Sequence, residues 1–371
     1  MLDVAVELGQ RWIMRFAWLR SRGRQGVQNA SGPFGMGWLR RGPLVAVLLG
    51  LVTAACGNVQ SGRSPVTAVS YNLLHGIFCP RETGRCRLAD RVDLFWDVVR
   101  ERDCPEVIAL QEGTRETRAL LEERRATVCT RPYEIVVGPI ETTLDDEIVL
   151  TSLPVRAVDQ RRLYINFRKA LLVQLEHSSG LLDVFSTHLA SSSDGAGRAC
   201  AADCPPECVA AGAANVRQCQ SVQVAAWVAE RHQGPNPALV LGDFNDPAGS
   251  FVYDQFVGRG FEDAYLSAGN PECDPASGNG CTSGREDEEL TDLESPAYGE
   301  NERIDFAFVV PGEAGAGCAG RVVPPHGPGG LRGTRLFADV ANPFADTCGP
   351  APEAICWASD HVGVQVELAC G

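Results

Sequence analysis

Residues 239–246 read LVLGDFND, and this octet decides how the chain is read. Leu239, Val240 and Leu241 form an aliphatic run that belongs in a core, yet the octet ends on two acids and an amide, Asp243, Asn245 and Asp246. Pro247 follows; it offers no ladder N–H and constrains the residue before it, so a strand stops here. Side chains two apart on a strand share a face, so Asp243 and Asn245 are expected to point together from a rigid support at a rim open to water. The same residues before proline are also ordinary turn chemistry, and the octet alone does not separate the two.

Working outward, short apolar runs recur on both sides. VTAVSYNLL (66–74), EVIALQE (106–112), YEIVVG (133–138), EIVLTS (147–152), ALLVQLE (170–176), LLDVFSTHL (181–189), RIDFAFVV (303–310) and HVGVQVEL (361–368) read as further strands. Leu88, Val92, Phe95, Trp96 and Val99 recur at helical spacing, 114–125 reads as a second helix, and 216–231 as a third with Val216, Cys219, Val222 and Ala226 on one side. No internal repeat or long linker divides them, so residues 65–371 are expected to form one domain. Two stretches, 191–219 and 271–302, read as long surface loops.

Five other strand ends carry polar residues of the same kind. SYNLLHG places Asn72 there, IALQEGT Glu112, FSTHLAS His188, ERIDFAF Asp305, and ASDHVGV Asp360 and His361. This ordered set, with QE, THL, GDFN and SDH in sequence, resembles the endonuclease/exonuclease/phosphatase superfamily across 66–368. The resemblance implies a mixed α/β (α+β) protein: a four-layer sandwich of two mostly antiparallel β-sheets face to face, with helices on the outer faces.

It also implies roles. Glu112 is a hard oxygen ligand suited to Mg²⁺ or Mn²⁺, with Asn72 beside it and Asp360 completing the metal set. Asp243 matches the residue that orients or activates the attacking water, and Asn245 the one that hydrogen-bonds phosphate and water. His361 matches the histidine on the scissile phosphate, held by Asp305, and His188 the general acid toward the leaving group. Glu147 is the candidate carboxylate behind His188, with Asp146 next. His75 is a further candidate for the cleft, and Arg168 and Lys169 read equally as phosphate contacts or as a snorkelling edge pair.

The N-terminal part reads differently. Residues 1–35 are an upstream extension outside the fold, with translation expected to start at Met36. Residues 36–55 have the layout of a secretory signal: basic Arg40 and Arg41, an apolar run, then small residues. The run is shorter than the roughly 20 residues that span a bilayer. Thr53, Ala54 and Ala55 before Cys56 resemble a lipobox, although leucine is usual where Thr53 stands. Cys56 is therefore the expected lipidation site and 56–64 a tether, giving a protein anchored to the membrane outside the cytoplasm.

The 15 cysteines agree with export, because setting Cys56 aside leaves an even number for disulfides. Cys79 with Cys86, Cys104 with Cys129, and Cys273 with Cys281 are plausible local pairs. The spacing of Cys200, Cys204 and Cys208 suggests zinc, but an oxidising compartment favours disulfides. Net charge is −14, which argues against a broad basic face for nucleic acid but not against a nuclease that reaches phosphate through a cation.

The expected activity is therefore divalent-metal-dependent hydrolysis of a phosphodiester or phosphomonoester by a monomer, on nucleic acid or on a phospholipid headgroup in the manner of a sphingomyelinase. A catalytically silent surface binding lipoprotein and a disulfide-rich structural lipoprotein are the rival readings.

Overall fold

The computed structural model describes residues 65–74, 84–140, 145–165, 167–193, 195–200, 203–232, 234–285, 289–313, 318, 320–325 and 333–370. Cys56, His75 and Cys79, and with them the expected signal, lipidation site and tether, lie outside the described residues.

Two mixed sheets form the molecule. The first runs β11 (Arg321–Val322), β13 (Gly363–Ala369), β1 (Val66–Asn72), β2 (Val107–Gly113), β4 (Asp146–Thr151) and β3 (Glu134–Val137), with β12 (Arg335–Phe337) also paired to β13. The second runs β5 (Val155–Arg162), β6 (Lys169–His177), β7 (Gly180–His188), β8 (Ala238–Asp243), β10 (Asp305–Val310) and β9 (Glu262–Asp263). Only β1–β2 and β7–β8 are parallel among these pairs. A parallel pair needs a crossover; helix α1 (Leu88–Glu101) lies in the first, and the short α3 (Pro206–Ala210) and α4 (Val216–Arg231) lie in the second.

The apolar runs are continuous because both faces of each central strand are covered. Leu239 and Leu241 of β8, Ala307 and Val309 of β10, Leu171 and Val173 of β6, and Ala68 of β1 meet between the sheets. Their neighbours of opposite parity face outward. Val69, Tyr71, Ile108 and Leu110 pack on Val92, Phe95, Trp96 and Val99 of α1. Val240, Phe306 and Phe308 pack on Trp227 and Val228 of α4 and on Val252 and Phe256 of α5 (Phe251–Val257). Helix, sheet, sheet and helix make the four layers expected from the sequence.

Local signals fix the helix starts. Thr114 caps α2 (Arg115–Arg124) by accepting from the Thr117 N–H, and Asn215 caps α4 by accepting from Gln218. Cys104–Cys129 and Cys273–Cys281 are bonded as expected. Cys200 pairs with Cys204 and Cys208 with Cys219, so the cysteines read as possible zinc ligands are disulfides. Cys318–Cys370 and Cys348–Cys356 tie the C-terminal part. Among the described residues no helix is long and apolar enough to cross a membrane.

Candidate active site

Strand register builds one wall of the site. β7 pairs with β8 so that His188 lies opposite Asp243, and β10 pairs with β8 so that Asp305 lies opposite Asp243 from the other side. Asp243 therefore stands between a histidine and an acid on adjacent strands. Two residues earlier on each strand, or later on β10, the same inward face carries Ser186, Leu241 and Ala307, which lead down to the inter-sheet core. The polar row is the last layer of that core, and His188, Asp243 and Asp305 are all buried in it.

The facing sheet supplies the second wall. Asn72 ends β1, and its Nδ2 donates to Glu112 Oε1 and to Asp243 Oδ2, both at 3.0 Å. One amide thus joins a carboxylate from each sheet. By parity Glu112 should follow Leu110 to the outer face. Instead, the β2–β4 register shifts between Leu110 and Gly113, and Glu112 adopts φ 62°, which turns its carboxylate toward Asn72. Bulges and left-handed non-glycine residues cost energy and persist where surroundings over-determine them.

His361 precedes β13 and is set from behind. Its Nδ1 lies 2.9 Å from Asp305 Oδ2, and its Nε2 points toward Asp243 Oδ2 at 3.9 Å. Ser359 accepts from the His361 N–H and donates to the Asn72 carbonyl at 2.7 Å, tying the end of β1 to the segment that enters its neighbour β13. Burial alone would drive His361 neutral. The carboxylates of Asp305, Asp360 and Asp243 outweigh it and hold the imidazole well above its ordinary value, hence protonated. Asp360 Oδ1 lies 3.1 Å from Ser359 Oγ, and burial, with the Glu112 carboxylate adding, raises Asp360 above the usual range.

The value of His188 is raised as well. Burial and Arg168 press its value down, but Asp145 and Asp243 prevail and raise it. Its Nε2 is 3.4 Å from Asp243 Oδ2, and its Nδ1 is 3.1 Å from Asp145 Oδ2 and 2.6 Å from Arg168 Nη1. Asp145 is thus the carboxylate at the His188 ring, in place of Glu147 and Asp146. The reason is depth and protonation. Asp145 stands just before β4 at the level of the mouth, whereas Glu147 is buried within it, where burial and the Asp145 charge push it up to about 8. A carboxyl pushed that high is a weaker partner for a histidine ring than the Asp145 carboxylate. Asp146 instead pairs with Lys169. Arg168 pairs with Asp145, so neither basic residue snorkels; both are buried and held by acids.

Asn245 reaches the site by a turn rather than by strand alternation. Its φ is 54°, its N–H donates to Asp243 Oδ1 at 2.8 Å, and its Nδ2 donates to the Leu189 carbonyl at 3.0 Å. The turn chemistry visible in the octet, rather than the pleat, sets the Asp243–Asn245 relation.

The structure brings Asn72, Glu112, His188, Asp243, Asn245, Asp305, Asp360 and His361 to one end of the sandwich. Arg91 was missed. Wholly buried, it donates to the carbonyls of Leu73, Leu74, Cys86 and Ala358, holding the segment after Asn72 against the one before Ser359. Its signal was an arginine three residues after Leu88 on the apolar stripe of α1. Asp145 and Arg217 were missed as well.

A model of the endonuclease/exonuclease/phosphatase family matches residues 69–361. No curated protein matches. Among solved structures, the mannosyl-6-phosphatase of Bacteroides thetaiotaomicron is similar at TM-score 0.54 and 18% identity, over 82% of this chain and 99% of that one. D. rerio TDP2 complexed with single strand DNA product gives TM-score 0.54 and 17% identity over the same shares. A second B. thetaiotaomicron structure, an endonuclease/exonuclease/phosphatase family protein, gives 0.52 and 16% over 82% and 95%. These identities speak for the fold. The family match spans most of the chain and contains Asn72, Glu112, His188, Asp243, Asn245, Asp305, Asp360 and His361. The chain belongs to the endonuclease/exonuclease/phosphatase family.

Proposed function

We propose that the protein is a divalent-metal-dependent phosphoesterase that hydrolyses a phosphodiester or phosphomonoester by in-line attack of water. The observation that carries this reading is the Asn72 amide bridging Glu112 and Asp243 across the two sheets, with His188 and His361 flanking Asp243.

The donor set fits a hard cation. Glu112, Asp360 and Asp243 offer carboxylate oxygens at one mouth, and the elevation of Asp360 by burial and by Glu112 reflects crowded negative charge that a cation would relieve. Asp243, Asp305 and His361 also lie close enough to hold an ion. In that group, however, the surrounding carboxylates hold His361 protonated at both ring nitrogens, which leaves no lone pair for an ion, so Glu112 with Asp360 and Asn72 is the better Mg²⁺ or Mn²⁺ site. A cation held there would offset the charge that builds on the phosphate oxygens.

The remaining steps fall to side chains. His361, charged, binds a phosphate oxygen, and Asp305 keeps its Nδ1 protonated so that Nε2 faces the substrate. Asp243 takes the proton of the attacking water as the new P–O bond forms. His188 gives its Nε2 proton to the departing oxygen as the old P–O bond breaks. Because His188 Nε2 and Asp243 Oδ2 are 3.4 Å apart, the proton gained by Asp243 has a short return route to His188 after turnover.

We place this activity outside the cytoplasm, on a chain anchored through Cys56. The signal-like 36–55 segment and the disulfides support that placement. Nucleic acid and a phospholipid headgroup are the two substrate classes, and the net charge of −14 favours the second.

The test is hydrolysis of bis-p-nitrophenyl phosphate with Mg²⁺ and with EDTA, followed by plasmid DNA, sphingomyelin vesicles and inositol phosphates. Metal-dependent turnover that disappears in Asp243→Ala and His361→Ala supports the reading. A folded wild-type protein inert toward all of them overturns it and leaves a binding lipoprotein as the better account.

A further inference from the structure

Arg217 is the second residue of α4, near the positive end of the helix dipole, where a cation is disfavoured. What it binds explains its place. Its Nε donates to the Ala190 carbonyl at 2.7 Å; its Nη1 donates to the Asn245 carbonyl and, at 3.0 Å, to Asp246 Oδ1; its Nη2 lies 3.5 Å from Ser192 Oγ.

Ala190 lies two residues beyond His188, and Asn245 two beyond Asp243. One planar guanidinium therefore joins the two chain segments that leave the site from β7 and β8. The segments are already close, since the Leu189 N–H donates to the Asp243 carbonyl at 3.0 Å. The side-chain amide of Asn245 crosses back to Leu189. The left-handed backbone of Asn245 is held at its N–H by Asp243, at its side chain by Leu189 and at its carbonyl by Arg217. An asparagine tolerates that conformation but does not require it.

Arg217 itself is placed by the disulfide-bearing loop that the sequence set apart. The Val216 N–H donates to the Arg198 carbonyl at 3.0 Å, and Cys219, two residues beyond Arg217, is bonded to Cys208. We infer that Arg217 is a positioning residue: it locks the His188 and Asn245 loops in one register, so that the amide of Asn245 and the general acid face the same phosphate. This rests on the proposed phosphoesterase reading. It gives Arg198 and the Cys208–Cys219 bond a task, namely to seat one guanidinium.

The experiment uses the full chain with Arg217→Ala and Arg217→Lys. Crystal structures report the position of Asn245, and bis-p-nitrophenyl phosphate with Mg²⁺ reports kcat, KM and the half-saturating metal concentration. Arg217→Ala is expected to displace Asn245 from its left-handed conformation. It should lower kcat about a hundredfold, the scale of a loss from a misplacement of about 1 Å, while the half-saturating Mg²⁺ concentration stays unchanged because Glu112 and Asp360 are untouched. Arg217→Lys, keeping charge but not the planar fork, is expected to fall between. An Asn245 that keeps its place in Arg217→Ala, or a kcat equal to wild type, overturns the inference. So does a loss of activity that Arg217→Lys does not relieve. A wild type inert toward every phosphoester sinks the functional reading instead, and the crystal structures still decide the positioning claim.

Discussion

Replacing Asn72 with alanine removes the amide that connects the two sheets at the site. Its Nδ2 lies 3.0 Å from a carboxylate oxygen on each side, one of Glu112 and one of Asp243. Hydrogen bonds to charged groups contribute about 1.5–3 kcal/mol each. Losing both removes about 3–6 kcal/mol of preorganisation, with Glu112 and Asp243 then facing each other without an intervening donor. If that energy is used in the transition state, kcat/KM falls roughly 10²–10⁴-fold, at 1.4 kcal/mol per tenfold. Asn72→Asp keeps the shape but replaces the donor with a third acceptor and is expected to be at least as severe. The assay is hydrolysis of bis-p-nitrophenyl phosphate over a Mg²⁺ titration, with thermal unfolding as the control for folding. A folded Asn72→Ala protein within about threefold of wild type would refute the bridge as the organising contact, since two such bonds cannot be lost at that small a cost.

Two further outcomes follow from the same geometry, and a third from the sequence ahead of the fold. Asp305→Asn removes the strongest influence holding His361 protonated, so the alkaline limb of the pH–rate profile moves to lower pH; an unmoved limb would mean that His361 is not required in its charged form. Glu112→Gln is expected to raise the Mg²⁺ concentration needed for half-maximal rate, and unchanged metal dependence would remove Glu112 from the ion. Cys56→Ser is expected to release the protein from the membrane fraction with kcat unaltered, and retention in that fraction would contradict lipidation at Cys56.

Much of this was legible because burial writes itself into composition. β8 and β10, covered on both faces, are apolar at nearly every position and read plainly as strands. β5, VRAVDQRR, is a half-exposed edge strand with no apolar face to betray it, and β9, β11 and β12 are two or three residues long. The site residues were legible as a series because each interrupts or ends an apolar run.

What the series could not convey is direction. Glu112 faces the site only because a register shift and a left-handed backbone turn it there, and neither has a local sequence signature. Asp145, Asp146 and Glu147 are chemically alike and adjacent; only the depth of β4 in the sheet decides which one stands at the level of His188. Arg91 and Arg217 act through backbone carbonyls far along the chain, and such partners leave no pattern in the sequence.

The most direct measurement is diffraction from crystals soaked in Mn²⁺, with the anomalous signal locating the ion. A peak bound by Glu112 at the mouth between the two sheets, with Asp360 and Asn72 around it, is the predicted result. Metal-dependent turnover in solution, together with an ion bound away from Glu112 in the crystal, would contradict the account.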